Sequence, residues 1–171
     1  MVPLIDPSLF SEQVFIAGEW RAAAAGRTLA VDDPAAGAVI GTIPDCDADD
    51  TRAAIAAAEA AFGPWRARTA GDRAALLEHW HALVLENVTD LGRIMTAEQG
   101  KPIAEAEGEI RYAATFIKWF AEEARRIGGH DIPAPEANRR IFVTKEPVGV
   151  SAAPKRRKPL GDTVTAVYRR P

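Results

Sequence analysis

The sequence predicts an α/β fold in three consecutive parts: short antiparallel strands, a layer of helices with one long helix, and an extended β arm. Short β-prone runs with proline and glycine between them precede residue 45. The spacing of apolar residues is then close to 3.6 and changes to 2 after Gly129. The apolar fraction of 47% and the charged fraction of 26% are those of an ordinary globular protein. The 171 residues suffice for one domain with a sizeable core.

Three short β-prone runs open the chain. An Ala-Gly-Glu turn interrupts the first run, at residues 15–20, and the next two runs cover residues 28–32 and 38–43. Pro34, Gly37 and Pro44 separate or end these runs, and such residues mark turns. We therefore expect small antiparallel strands.

Two helices follow the strands. The first covers residues 46–65, begins among capping aspartates and ends at Gly63-Pro64. The candidate caps are Asp45, Asp47, Asp49 and Asp50, and the predicted buried stripe is Ile55, Ala58 and Phe62. The second helix begins at Thr69, where the pair Thr69 and Asp72 resembles a capping box, and it runs to about Glu86.

The third helix begins near Asn87 or Thr89 and ends at Gly100, and the fourth is the longest element of the chain. Pro102 suits a first helical position, and Gly128 with Gly129 ends the helix about 39 Å further on. Its predicted buried stripe is Ile103, Ala106, Ile110, Ala113, Ile117, Phe120, Ala124 and Ile127.

After Gly129 the pattern predicts an arm of extended chain. Residues 139–145 alternate between polar and apolar, and residues 148–152 form a second β-prone run. An isolated arm of this kind has an unpaired edge and is prone to aggregation. From Pro154 the composition changes: residues 154–171 contain six cations and one acid, a net charge of +5, whereas the first 153 residues carry −8. We expect this basic tail to be disordered.

Several motifs in a fixed order resemble the NAD(P)-dependent aldehyde dehydrogenases, and among them the bacterial succinate-semialdehyde dehydrogenases. The motifs are DPAAG at 33–37, MTAEQGKPIAEAEGEI at 95–110, FIKWFAEEARRIGG at 116–129, DIPAP at 131–135 and KEPVGV at 145–150. The resemblance covers residues 9–153, about the first third of a family member. It implies a partial N-terminal helical region associated with the cofactor domain at 9–130 and an oligomerisation arm at 131–153, followed by a non-homologous tail at 154–171.

The resemblance also implies a function and a limit to it. Family members oxidise an aldehyde, here a semialdehyde, to a carboxylic acid with NAD or NADP, and they continue after residue 153 into the cofactor-binding sheet. Residues 154–171 cannot form the buried strand expected there, because prolines and four consecutive cations interrupt it. We interpret the chain as a truncated, frameshifted member, and we expect it to bind no cofactor and to be inactive by itself.

No residue of this chain replaces the cysteine nucleophile and general base that such a reaction needs. Cys46 lies between Asp45 and Asp47, which oppose thiolate formation. The histidines, His79, His81 and His130, lack the spacing of a metal site. Glu98 has no partner in view, so we interpret it as a helix cap or a surface ion pair. No glycine-rich loop has phosphate-binding spacing.

One group of residues is a candidate for substrate contact. Tyr112, Phe116 and Trp119 form an aromatic stripe at helical spacing, offset from the isoleucine stripe of the same helix. In the resembling family the long helix lines the substrate tunnel, so this stripe is a candidate tunnel wall. The alternative is that the aromatic residues pack in the core or at a subunit contact.

Two further functions stay open. The chain could be a noncatalytic module that binds a full-length paralogue, or another copy, through the β arm. The basic cluster at 155–158 could instead contact nucleic acid, although such charge runs are more often solvated ends. We expect no membrane segment and a cytoplasmic location, because the start resembles no signal peptide and a single cysteine fits a reducing compartment.

Overall fold

The computed structural model describes residues 2–152, and the predicted basic tail lies outside them. The predicted order of short strands, helical layer and arm is confirmed. The helices are α1 (Ala48–Ala67), α2 (Ala70–Glu86), α3 (Val88–Gln99) and α4 (Ile103–Ala124), with a 3-10 turn at Pro7–Leu9. The strands are β1 (Val14–Ile16), β2 (Glu19–Arg21), β3 (Thr28–Asp32), β4 (Val39–Pro44), β5 (His130–Ile132) and β6 (Ile141–Val143).

The strands pair as three separate antiparallel hairpins, β1–β2, β3–β4 and β5–β6. The first run of the sequence divides into β1 and β2 at a two-residue turn, where Ala17 and Gly18 both have positive φ angles of 57° and 88°. This conformation matches the twist of the flanking strands. In the second hairpin Leu29 is opposite Ile43, and the register shifts between Val31 and Asp32.

Capping residues set the starts of α1 and α2 as predicted. Asp47 accepts hydrogen bonds from the N–H groups of Asp49 and Asp50, and Asp50 accepts one in return from the N–H of Asp47. Thr69 accepts a hydrogen bond from the N–H of Asp72 at 3.1 Å. The predicted end of α1 is wrong, because Pro64 lies inside the helix, which continues to Ala67. A proline so near the end removes one hydrogen bond without stopping the last turn.

Small residues form the centre of the helical layer, where α4 packs against α2 and α3. Ala74 of α2 and Ala106, Ala114 and Ala121 of α4 are fully buried. A side chain at Gly92 of α3 would meet the Glu107 side chain at 2.8 Å, so α3 and α4 also approach closely. The absence of bulky side chains lets these helices pack with their backbones near each other.

The predicted stripes of α1 and α4 are therefore wrong in part. Ile103, Phe120 and Ile127 are exposed, and α4 ends at Ala124 instead of continuing through Ile127. Ile55 of α1 is also exposed. We call the buried row of Ala106, Ala114 and Ala121 on α4 the alanine seam. These small residues are buried because α2 and α3 pack closely against them, and the larger apolar side chains lie at the margins of the seam.

The arm contains one hairpin, whereas the sequence predicted two successive strands, at residues 139–145 and 148–152. The predicted strand at 139–145 is confirmed in its centre as β6, which pairs with β5, a strand that was not predicted. The second run, residues 148–152, is not a strand. Gly149, with a φ of 136°, interrupts the extended conformation there. All residues of β5 and β6 are exposed.

Candidate functional site

The predicted aromatic stripe lies on an exposed face of α4. Tyr112, Phe116 and Trp119 expose 66%, 48% and 59% of their surface. The rings of Tyr112 and Phe116 meet edge to face, with their centroids 5.1 Å apart and their planes at 84°. This is a favourable aromatic geometry, so the two rings order each other.

The stripe points away from the alanine seam of the same helix, since Ala114 and Ala121 are buried against neighbouring helices. Among residues 2–152 none of the three aromatic side chains is buried. Contact with substrate, with a later segment or with another subunit stays a prediction. Three exposed aromatic rings in one row can contact an apolar or partly apolar molecule.

Cys46 lies in the linker between β4 and α1 and is exposed. The pKa of its thiol is raised, mainly because the thiol is partly desolvated, and the carboxylates of Asp50 and Asp47 raise this pKa further. The predicted rise of the Cys46 pKa is confirmed. Asp50, which was not predicted to contribute, raises this pKa more than Asp45 does. A thiol in this environment is a poor nucleophile at neutral pH.

One of the histidines, His81, links two helices. Nδ1 of His81 lies 2.9 Å from the carbonyl oxygen of Ala114, which joins α2 to α4. His130 pairs with Val143 in the β5–β6 hairpin. No group of three metal-binding side chains occurs within residues 2–152.

The interpretation of Glu98 as a helix cap or a surface ion pair is wrong. The side chain is buried on α3, and its Oε2 has no hydrogen-bond partner among residues 2–152. Burial raises its pKa to about 7. The signal was available in the sequence, because Glu98 follows Leu91 and Met95 at helical spacing and so falls on the buried side.

Two buried aspartates make long-range contacts that the sequence did not reveal. Asp50 accepts a hydrogen bond from the N–H of Ala24 at 3.1 Å, and its carboxylate lies 3.5 Å from the guanidinium of Arg21. Asp90 accepts hydrogen bonds from the N–H groups of Ile5 and Asp6, at 2.8 and 2.7 Å. Partners so distant in sequence leave no local pattern by which they could be predicted.

The glycine pair at the end of α4 packs against the β5–β6 hairpin. The pair Gly128 and Gly129 follows α4, and a side chain at Gly129 would collide with the carbonyl oxygen of Val143. These glycines therefore allow close packing of the hairpin on the end of α4, and they do not form a phosphate-binding loop. No helix among residues 2–152 has the length and apolar character needed to cross a membrane.

Comparison with known proteins then decides the family. The family model described as "Aldehyde dehydrogenase family" matches residues 20–153. The chain belongs to the aldehyde dehydrogenase family. The structure agrees: this member superimposes on the crystal structure of succinate-semialdehyde dehydrogenase from Burkholderia pseudomallei with a TM-score of 0.85 and 53% identity. That match covers 86% of this chain and 31% of the other.

Curated aldehyde dehydrogenases give the same picture. The chain is 52% identical over 150 residues to the NADP(+) succinate-semialdehyde dehydrogenase of Escherichia coli, covering 88% of this chain and 31% of that protein. It is 53% identical over 150 residues to the glutarate-semialdehyde dehydrogenase of Pseudomonas putida, covering 88% of this chain and 31% of that protein. The chain thus spans about a third of the length of these relatives.

Proposed function

We propose that this chain supplies the N-terminal third of an NAD(P)-dependent semialdehyde dehydrogenase of the succinate-semialdehyde type, which oxidises a semialdehyde to a carboxylic acid. The observation that supports it is the 52% identity over 150 residues to the E. coli enzyme, whose name states that substrate and NADP(+). The P. putida relative acts on glutarate semialdehyde, so a short-chain semialdehyde with a terminal carboxylate is the substrate class we propose. We place the enzyme in the cytoplasm, because a single cysteine fits a reducing compartment.

We further propose that the 171-residue chain is inactive by itself. Hydride can leave an aldehyde only from a tetrahedral adduct with a nucleophile. Cys46, the one cysteine of the sequence, is exposed in a linker and its pKa is raised. The family resemblance puts the nucleophile, the general base and the cofactor loop beyond residue 153.

A chimera tests both statements. Residues 1–153 of this chain, joined to the remainder of the E. coli relative, should oxidise succinate semialdehyde with NADP⁺, whereas the 171-residue chain should produce no NADPH. The Cys46→Ser substitution in the chimera should leave kcat unchanged. Activity of the 171-residue chain, or loss of activity in Cys46→Ser, would contradict the proposal.

Within this enzyme we propose that Tyr112, Phe116 and Trp119 form one wall of the substrate tunnel. Their exposure on one face of α4, opposite the alanine seam, supports the proposal. A row of rigid aromatic rings would guide the short methylene chain of the substrate and exclude water from it. It would contribute binding and orientation, and the chemistry would remain with residues outside this chain.

Alanine substitutions at these positions in the chimera measure that contribution. Tyr112→Ala and Phe116→Ala should raise KM for succinate semialdehyde about tenfold and change kcat less, because they remove apolar contact with bound substrate. Trp65→Ala, which removes an exposed aromatic side chain of α1, is the matched control and should leave KM unchanged. An unchanged KM in both stripe variants would favour a subunit contact instead.

The exposed β5–β6 hairpin supports a second candidate function, a noncatalytic module that binds a full-length paralogue or another copy. Phe142 is 65% exposed, and Ile132, Ile141 and Val143 lie exposed beside it. Such an apolar edge would add a strand to a partner sheet. Co-purification of the 171-residue chain with a full-length paralogue, lost in Phe142→Asp, would support this function, and its persistence would contradict it.

A further inference from the structure

A second row of apolar side chains lies on α2, on the side away from the buried Ala74. Leu76, Trp80 and Leu83 follow one another at intervals of four and three residues, so they share one face of the helix. We call these three residues the α2 outer stripe. All three are exposed, so the part of the chain that the structure describes leaves the stripe uncovered.

The largest apolar side chains of this chain lie on its surface and not in its core. The buried apolar residues within 2–152 are alanines, valines, an isoleucine and a methionine, with no leucine or aromatic residue among them. All four tryptophans of the sequence are exposed, and Trp80 of the α2 outer stripe is one of them. Tryptophan is usually largely buried, and apolar patches on a surface mark interaction sites. The α2 outer stripe therefore has the character of a contact surface.

The extent of the match with relatives indicates which partner fits this surface. The chain has the fold of the corresponding part of the B. pseudomallei enzyme, with a TM-score of 0.85, and it covers 31% of that enzyme. About two thirds of the enzyme therefore has no counterpart in this chain. Permanent interfaces resemble a protein core cut in two, with apolar surface on both sides of the cut. The missing two thirds is the partner expected to carry the other side.

A second copy of this chain fits the stripe less well. In a symmetric dimer the stripe would meet itself and contribute only three side chains per copy. Stable interfaces use about 20–30 residues a side. The missing two thirds is large enough to cover the α2 outer stripe together with the exposed Trp119 of α4.

We propose that the α2 outer stripe binds, without a covalent link, the part of a semialdehyde dehydrogenase that follows this N-terminal third, so that two separate chains assemble into one enzyme. The identity of the partner rests on the proposed function. Removal of Leu76, Trp80 and Leu83 from water drives the association, because burial of apolar surface is the main favourable contribution to protein association.

Co-expression of the two chains tests this docking. The 171-residue chain, with an affinity tag, is produced together with the part of the E. coli relative that follows the matched third, in a host that lacks its own succinate-semialdehyde dehydrogenase. We expect the untagged part to co-purify in equal amount and the pair to form NADPH from succinate semialdehyde. Absence of the untagged part from the purified sample would overturn the proposal.

Substitutions on α2 locate the contact. Leu83→Glu should reduce the amount of bound partner at least tenfold, because a charge buried against an apolar surface is strongly unfavourable. Ala82→Glu is the matched control, since it adds the same carboxylate at an exposed position beside the stripe, and it should leave binding unchanged. Circular dichroism checks that both variants keep their helices, and Trp80→Gln repeats the test with a neutral side chain. Binding that survives Leu83→Glu and Trp80→Gln, or that Ala82→Glu reduces equally, would overturn the proposal.

The covalent chimera of the two parts separates this proposal from the proposed function. An active chimera whose parts do not associate as separate chains would overturn the docking and leave the proposed function standing. An inactive chimera, with co-purification that Leu83→Glu abolishes, would support the docking and contradict the proposed activity. Sedimentation of the 171-residue chain tests for a second copy. A dimer that Leu83→Glu dissociates, with no partner bound in the co-expression, would overturn the proposal in favour of self-association.

Discussion

The two ends of α3 each bury a carboxylate, but the surroundings of these carboxylates differ. Near the start of the helix, the N–H groups of Asp6 and Ile5 and the guanidinium of Arg93 hold the pKa of Asp90 below its usual value. Near its end, burial raises the pKa of Glu98 to about 7, and no partner is described for its Oε2. Burial therefore does not by itself determine whether a carboxylate stabilises the fold; its hydrogen-bond donors do.

The two carboxylates should affect stability in opposite pH ranges. Glu98 has a raised pKa in the folded chain, so its contribution is complete below the ordinary value of 4.5 and is lost as the pH rises through about 7. Asp90 has a lowered pKa, so its contribution is present above the ordinary value of 3.8 and is lost as the pH falls below it.

The largest effect is expected from Glu98→Gln. The neutral amide removes the cost of burying a charge, which amounts to about 3 kcal/mol at pH 8 for a shift from 4.5 to about 7. Urea unfolding at pH 5 and pH 8 should show a variant that gains stability at pH 8 and loses most of the pH dependence. The exposed Glu105→Gln is the matched control, and equal behaviour of the two variants would refute a buried charge at Glu98.

A smaller effect, this time a loss of stability, is expected from Asp90→Asn. The amide oxygen can still accept a hydrogen bond from the N–H of Ile5 or Asp6, but without the negative charge the bonds weaken. The urea midpoint should fall at pH 7, and its difference from that of the parent should shrink as the pH falls below 3.8 and the parent carboxylate loses its charge. A difference that stays the same down to the lowest pH tested would point to altered packing and against a role of the charge.

Arg93→Gln should have the smallest effect. The arginine side chain is partly exposed, and the two main-chain donors to Asp90 remain in place. We expect a slight loss of stability at pH 7 that diminishes at high salt, as measured by urea unfolding at two ionic strengths. A loss as large as that of Asp90→Asn would show that Arg93, and not the N–H groups of Ile5 and Asp6, is the main partner of Asp90.

Sequence patterns predicted the elements of this chain better than its long-range contacts. The cap residues Asp47 and Thr69 act within three residues of themselves, so their roles were visible in the sequence. The spacing that places Glu98 on the buried side of α3 was also visible, but nothing local shows that its Oε2 finds no donor among residues 2–152. The bond from Asp90 to Ile5 spans 85 residues, which no local pattern can encode.

The aromatic stripe shows the same limit for the candidate site. Helical spacing correctly placed Tyr112 and Phe116 together, and the rings are in contact. Spacing could not indicate which stripe of α4 faces its neighbours, because alanines and isoleucines are both apolar. The alanines face the neighbouring helices because α2 and α3 pack closely against α4. This close packing depends on all three helices together.

The alanine seam has a consequence for how the chain acquires its structure during synthesis. Its contacts join nearby parts of the sequence: the bond from His81 to Ala114 spans 33 residues, and the ion pair of Glu78 with Arg125 spans 47. Short loops close rapidly, and helical proteins with local contacts fold quickly. The layer of α2, α3 and α4 can therefore form soon after residue 125 leaves the ribosome. The β5–β6 hairpin, whose residues are all exposed, would then emerge beside a layer that has already formed.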